Sequence, residues 1–286
     1  NGLVGKKLKE YLDNVPDVNV SQVFGLNYFD IKQTQNFLEN TLVTKKVDYI
    51  VNCVGYTGSP NVDGCEDNKQ DTWHLNVTFP AMLANICSSH IGDVSLINIS
   101  SGCIYTGYEK AFTEKCEPNF GLWSADSSWY SKTKHACEMV FTNYNNIYNF
   151  RIRMPITGNL NEGKNYLTKI LKYNNLIDYK NSKTVIQDLL SFTYNFIIRN
   201  KTNNLPSGNY NVVNPEPLST KEVVDILDEF NFWNPNWNWI DLDELYKSTK
   251  CGRSNCVLDT DSTTNITGIE IPTERESIIT ALKNEK

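Results

Sequence analysis

Short apolar, β-branched runs at residues 20–24, 47–51, 94–100 and 148–154 alternate with longer stretches of helical period at 31–41, 65–89 and 130–145. A run that is apolar on both faces must be covered on both, and parallel neighbours need a crossover long enough to hold a helix. The alternation therefore predicts an α/β fold, a Rossmann-type doubly wound parallel sheet with helices on either side. Pro80 falls inside the second helical stretch and is expected to kink or interrupt it.

After Pro155 the rhythm changes. Helical patterns at 163–174 and 183–199 precede a short strand candidate at 210–213. Ser219 with Glu222 and Thr273 with Glu276 form capping-box signatures, so each opens a helix. The Trp- and Asn-rich stretch 232–239 has no period and reads as loop. This organisation predicts a dinucleotide-binding domain over 1–155 and a smaller substrate lobe over 156–286, partly interwoven with the first.

Charge narrows the partners. The net charge is −6 with no Lys/Arg block, which argues against a nucleic-acid face. No apolar run approaches the ~20 residues that span a bilayer, so no membrane partner is expected. Eight cysteines, at 53, 65, 87, 103, 116, 137, 251 and 256, lie mostly in apolar segments without the spacing of a disulfide scaffold. They read as free thiols of a reducing, cytoplasmic compartment. With three histidines and no ligand cluster, no metal site is expected.

The chain opens Asn1-Gly2-Leu3-Val4-Gly5 ahead of a helical pattern. Glycines allow close backbone approach, and a helix N-terminus offers free N–H groups to an anion, so Gly2, Leu3, Val4 and Gly5 are candidates to cradle a pyrophosphate. A dinucleotide fold needs a strand directly before this loop. None precedes it, so the first strand of the sheet is expected to lie outside the chain. Cys53-Val54-Gly55-Tyr56 follows the second run and would let the adenosine side of a cofactor pass close to the backbone; a plain tight turn is an equal reading of those residues alone. Gly25-Leu26-Asn27 carries neither the acid expected for a ribose diol nor an Arg for a 2′-phosphate, so the residues do not separate NADH from NADPH.

Tyr130-Ser131-Lys132-Thr133-Lys134 opens an amphipathic helix and sets Tyr130 and Lys134 on one face. A nearby ammonium is expected to lower the phenol from its reference near 10. The Tyr can then pass a proton to a carbonyl oxygen as hydride reaches the carbon. The same spacing recurs at Tyr28/Lys32, Tyr179/Lys183 and Tyr246/Lys250, but only Tyr130 follows a buried strand ending in Ser100-Ser101 and starts a long helix.

These residues carry a resemblance. Asn98-Ile-Ser-Ser-Gly-Cys-Ile-Tyr105, the Tyr130–Lys134 helix start and Arg151-Ile-Arg-Met-Pro155 resemble extended short-chain dehydrogenases related to dTDP-4-dehydrorhamnose reductase. They are more similar still to the epimerase/reductase half of plant UDP-rhamnose synthases. Supporting stretches are Gly55-Tyr-Thr-Gly-Ser-Pro-Asn-Val-Asp63, Asn165-Tyr-Leu-Thr-Lys169, Tyr210-Asn-Val-Val-Asn-Pro215 and Arg253-Ser-Asn255. The resemblance implies Ser101, Tyr130 and Lys134 as a reductase triad, Cys103 and Lys169 as an epimerase acid–base pair, and Asn165 and Arg253 as substrate-binding residues. It also implies NADPH as cofactor, a UDP-4-keto-6-deoxyglucose substrate and a homodimer. By residue chemistry alone, Cys103 reads as a small buried hydrophobe and Lys169 as a solvated helix charge; the resemblance reverses both. A reductase without epimerase activity and a non-catalytic regulatory subunit are the competing expectations.

Overall fold

The computed structural model describes residues 2–16, 18–23, 25–89, 94–232 and 237–285. Its main sheet has four parallel strands in the spatial order β1 (Tyr49–Asn52), β2 (Ser95–Ser101), β3 (Ile147–Ile152) and β4 (Gly208–Asn211). Helices α1 (Leu3–Leu12), α2 (Ile31–Thr44), α3 (Phe79–Ser89), α4 (Trp129–Phe141) and α5 (Ile186–Asn203) cover both faces. Strand side chains alternate between the two layers, as a doubly covered sheet requires. Ile97, Tyr148, Phe150 and Tyr210 pack with α1 and α5, whereas Leu96 and Ile147 pack with α2, α3 and α4.

An asparagine ladder fixes the register. Asn52 pairs with Asn98, Asn98 with Asn149, and Asn149 with Asn209 across the four strands. Each side-chain amide donates to the next carbonyl oxygen, at 2.8, 3.0 and 3.1 Å. Asn52, Asn98 and Asn149 are buried. A one-residue slip would break these bonds and send every apolar side chain to the wrong face. The ladder also leaves Asn98 no room for a modifying group.

Several expectations need correction. Residues 20–23 form no strand, and residue 24 lies outside the described residues. An extended segment becomes a strand only when a neighbour completes its ladder, and among the described residues none pairs with 20–23 or with the free edge of β1. The 65–89 stretch is split into Asp63–Asp67, Lys69–Trp73, a π-helical turn His74–Thr78, and α3. Pro80 cannot donate to the carbonyl four residues back, so the turn before it widens. α4 stops at Phe141 rather than 145, and the late strand runs 208–211 rather than 210–213. In the stretch expected to be loop, Asn238–Trp239 pairs with Asn175–Leu176; residues 233–236 lie outside the described residues. Two further parallel pairs leave no hydrophobic pattern: Gly107–Phe112, paired with Cys256–Leu258, is mostly exposed, and Pro155–Ile156 with Thr184–Val185 is two residues long.

Both capping boxes are present, at Ser219/Glu222 and Thr273/Glu276. The later half of the chain supplies β4 and α5 to the main sheet, and also an apolar cluster of its own around Leu167, Val223, Leu227 and Ile278. All eight cysteines are unpaired. Among the described residues, no helix is long and apolar enough to cross a membrane.

The ladder makes a direct prediction. Asn98→Ala strands one amide on each side in a dry layer, at ~1–3 kcal/mol per unmet group. Urea unfolding is expected to show a loss of about 3 kcal/mol. A loss below about 0.5 kcal/mol, the range of a neutral surface change, would show that the ladder does not hold the register.

Candidate active site

The carboxyl ends of β1, β2 and β3 open onto one cavity of about 850 Å³. Its wall brings together Ser101, Cys103, Tyr130, Lys134 and Lys169. Gly2, Leu3, Val4, Cys53, Val54 and Gly55 line it as well, and so does Arg253. Of the four Tyr-x-x-x-Lys pairs, only Tyr130/Lys134 contributes both members. Lys183 is instead buried against Glu274, and Lys250 is paired with Asp67 at the surface.

Local chemistry explains how the helix that carries Tyr130 and Lys134 is aimed. Ser128 caps α4 by accepting the Ser131 N–H at 3.0 Å. The Ser131 hydroxyl donates to the Cys103 carbonyl at 2.6 Å, and the Cys103 N–H donates to Ser101 Oγ at 3.1 Å. The start of α4 and the end of β2 are therefore one hydrogen-bonded unit. Lys134, buried, donates from Nζ to the Ile99 carbonyl at 3.1 Å. Its Nζ lies 5.9 Å from the Tyr130 ring centroid.

The electrostatics reverse one expectation. Burial pushes the Tyr130 phenol above its ordinary value, the Cys103 sulfur pushes the same way, and the Ser101 hydroxyl draws it down less strongly. Lys134 does not win this balance. The phenol keeps its proton at neutral pH, which suits a group that must donate one. Burial also lowers the Lys134 ammonium, against the opposing pull of Cys137 and Glu138. Lys169 is lowered by burial and by nearby Lys164.

At the other end of the cavity, α1 begins at Gly2, which has no side chain to cap it, so the first-turn N–H groups at Leu3 and Val4 have no side-chain acceptor from the cap. A Cβ at Gly5 would stand 3.3 Å from Cys53 Cβ, so Gly5 serves the close approach of α1 to the end of β1 rather than the cavity wall. Tyr56 also stays off the wall. Its backbone is clamped by Asn76, which accepts the Tyr56 N–H at 2.8 Å and donates to the Tyr56 carbonyl at 2.9 Å. Asn76 also donates to Thr133 Oγ1 at 3.0 Å, tying the Cys53–Tyr56 loop to α4.

Asn165 is a correction. Its side chain is fully buried: Oδ1 accepts the N–H groups of Leu167 and Thr157, and Nδ2 donates to the Thr157 and Asn159 carbonyls. It caps the helix Tyr166–Lys172 and has no donor or acceptor left for a ligand. Arg253 does line the cavity, held by a bidentate pair to Asp63 at 2.9 and 2.7 Å. Burial would raise the Asp63 carboxyl, but the hydrogen bonds and charge of Arg253 outweigh it and hold the group below its usual range. Two separated sequence stretches, ending in Asp63 and starting at Arg253, thus meet across one wall.

Sequence reasoning missed Asn76, Ser131 and Arg153. Asn76 and Ser131 lie within helical patterns that give no sign of a contact to another segment. Arg153 carried a readable signal, a charge two residues after Arg151 in a run otherwise expected to be buried. Among the described residues, six cations line the cavity (Lys134, Arg153, Lys164, Lys169, Lys172 and Arg253) against one carboxylate, Asp63. In a chain of net charge −6 this concentration suits an anionic ligand.

A family model described as the RmlD substrate binding domain matches residues 1–286. The bifunctional dTDP-4-dehydrorhamnose 3,5-epimerase/dTDP-4-dehydrorhamnose reductase of Arabidopsis thaliana is 35% identical over 221 residues, covering 75% of this chain and 69% of that protein. A trifunctional UDP-glucose 4,6-dehydratase/UDP-4-keto-6-deoxy-D-glucose 3,5-epimerase/UDP-4-keto-L-rhamnose-reductase of the same plant is 34% identical over 223 residues, 75% of this chain but 31% of that longer protein. The crystal structure of the UDP-rhamnose synthase from Acanthamoeba polyphaga mimivirus superposes with a TM-score of 0.84 at 26% identity, covering 98% of this chain and 95% of that one. The dTDP-4-dehydrorhamnose reductase from Bacillus anthracis, solved in complex with NADP, shares the fold at a TM-score of 0.77 and 16% identity, over 99% of this chain and 95% of that one. With a family model running the length of the chain and a well-covered relative above 30% identity, this chain belongs to the RmlD substrate binding domain family.

Proposed function

We propose that the chain is a bifunctional 3,5-epimerase/4-reductase that converts UDP-4-keto-6-deoxy-D-glucose to UDP-β-L-rhamnose with NADPH. The observation that carries this reading is the presence of both sets of groups, Ser101/Tyr130/Lys134 and Cys103/Lys169, on one cavity wall. The Arabidopsis and mimivirus relatives, named for epimerase, reductase or UDP-rhamnose synthase activities, support it.

The residues present fit a dinucleotide. The uncapped start of α1 offers N–H groups to a pyrophosphate, and the Gly5–Cys53 contact brings helix and strand end close enough for that cradle. Gly55 faces the Lys134 ammonium, where an added Cβ would stand 3.5 Å from Nζ, so its bare backbone leaves the approach to Lys134 open. When bound, the nicotinamide supplies the hydride for C4. The remaining steps belong to the chain. Cys103, as thiolate, takes a proton from the carbon beside the C4 ketone; the C–H electron pair moves to the ketone oxygen as an enolate, and the proton stays on sulfur. The Lys169 ammonium returns a proton to the opposite face, which inverts the centre. Solvent then takes the proton from the Cys103 thiol and returns one to the Lys169 amine, and with both groups restored the same steps at the second centre complete the epimerisation. Ser101 and Tyr130 hold the ketone oxygen, and Tyr130 protonates it on reduction while Lys134 supplies positive charge beside the phenol. The cationic wall meets the nucleotide's phosphates.

Two outcomes test this reading. With UDP-4-keto-6-deoxyglucose in deuterated water, the rhamnosyl product is expected to carry deuterium at C3 and C5. A reduced product without label would refute the roles of Cys103 and Lys169 and leave a reductase alone. Tyr130→Phe is expected to slow reduction by about a hundredfold to ten-thousandfold, the contribution of a positioned proton donor. Because burial raises the phenol, its acid form persists as pH rises and is lost only above the raised value. The wild-type reduction rate should therefore hold level through neutral pH and fall only on the alkaline side, where the Lys134 ammonium, lowered by burial, loses its charge before the phenol loses its proton. A decline beginning near neutrality would contradict Tyr130 as the acid.

A further inference from the structure

The reading of Cys103 as the epimerase base leaves open what stabilises its thiolate; the resemblance names only Lys169 with it, as its acid–base partner. The structure places a different cation beside the sulfur. Arg153 Nη1 lies 3.8 Å from Cys103 Sγ; Lys169 feels the charge of the same sulfur but makes no hydrogen bond to it among the described residues. Arg153 is 1% exposed, yet it borders the cavity.

Its surroundings are unusual for a buried charge. Arg151 is paired with Glu138 at 2.6 Å and Lys183 with Glu274 at 2.8 Å, as buried charges must be to offset lost hydration. Arg153 has no carboxylate partner among the described residues. Nη1 donates to the Gly102 carbonyl at 3.0 Å and to Ser254 Oγ at 2.7 Å. Nη2 donates to Asn181 Oδ1 at 2.8 Å and to the Ser254 carbonyl at 3.2 Å. Nε has no hydrogen-bond partner among the described residues. Every oxygen acceptor is neutral, so the positive charge is oriented but not cancelled. Gly102 helps make the arrangement possible, because a Cβ there would stand 3.0 Å from Arg153 Cδ and 2.5 Å from Leu258 Cδ1. The arginine stem therefore lies flat against the backbone that joins Ser101 to Cys103.

The other titratable groups around Arg153 do not answer the charge. Cys256 is fully buried, off the cavity wall, and burial raises its thiol. Burial likewise raises Tyr108 and Tyr130. Lys183, which also feels Arg153, carries the same charge and is closed by Glu274. That leaves Cys103, which reaches the cavity.

We propose that Arg153 is the counter-ion of the Cys103 thiolate and a positioning residue for the proton-transfer half of the reaction, leaving Lys169 as the proton donor. The two cations divide the work by chemistry. A guanidinium stays protonated in proteins, so Arg153 can hold a charge but cannot deliver a proton. An ammonium that burial has weakened, as at Lys169, can deliver one.

The test compares the wild type with Arg153→Gln and Arg153→Lys, each checked for folding by its thermal melt. The first readout needs no substrate: the rate at which iodoacetamide alkylates Cys103 at neutral pH, followed on its own peptide by mass spectrometry. Thiolate is the reactive form, so Arg153→Gln is expected to slow alkylation about tenfold, with Arg153→Lys within about threefold of wild type. The second readout compares deuterium uptake at C3 and C5 with reduction of a 4-keto sugar nucleotide already in the L configuration. In Arg153→Gln, uptake should fall at least about tenfold more than reduction, since only uptake uses the sulfur as base. Equal alkylation rates in wild type and a folded Arg153→Gln would overturn the assignment, as would equal losses of uptake and reduction. If the Gln variant does not fold, the Lys variant decides: alkylation slowed tenfold at conserved charge would also overturn it. The assignment can fail separately from the functional reading. A wild type that takes up no deuterium but shows the alkylation difference sinks the epimerase reading and keeps the ion pair. Uptake in the wild type with indifferent alkylation does the reverse.

Discussion

The site depends on the register of the main sheet, and the Asn52–Asn98–Asn149–Asn209 ladder sets that register. Three side-chain amide bonds cross four parallel strands at matched positions. Because the strands are locked side by side, their carboxyl ends finish together: Cys53 just past β1, Ser101 and Cys103 at and beyond β2, Arg153 just past β3. Side chains far apart in sequence are thereby placed around one opening.

Charge is distributed in the same economical way. The chain as a whole is acidic, while the cavity wall is cationic, and the two deeply buried cations on that wall, Lys134 and Arg153, lack carboxylate partners among the described residues. Structural ion pairs elsewhere, Arg151–Glu138 and Lys183–Glu274, are closed. A buried charge left open is costly unless a ligand or a reacting group completes it. The contrast separates groups that hold the fold from groups that serve the chemistry.

Much of the fold was legible because it rests on periodicity. The run at 94–100 and the helix start at Tyr130 announce themselves, and the Ser100-Ser101 strand end singles out Tyr130/Lys134 from three pairs of identical spacing. Periodicity failed where tertiary partners decide. Residues 20–23 have strand composition but no ladder, and two-residue pairings such as Pro155–Ile156 with Thr184–Val185 carry no pattern. In the site, the Ser100-Ser101 strand end was readable from residue types, Cys103 and Lys169 came only from the resemblance, and neither route showed who touches whom. Asn165 sits in a motif-like stretch, yet all its hydrogen-bonding capacity is spent on a helix cap. Arg153 was visible only as a charge in a buried run, because its meaning comes from Ser254, 101 residues away in sequence. The phenol's proton was misjudged for a related reason: spacing shows the ammonium four residues on, while burial, the larger effect, belongs to the folded state.

The central claim is that the hydroxyls of Ser101 and Tyr130, the Lys134 ammonium and the Cys103 sulfur surround a single sugar carbon framework. A crystal structure of the ternary complex with oxidised cofactor and UDP-rhamnose tests it most directly. The sugar O4 is expected within hydrogen-bonding distance of both hydroxyls, with Cys103 Sγ facing the C3–C5 side of the ring. A sugar bound with O4 directed away from Tyr130, or seated outside the cavity, would contradict it.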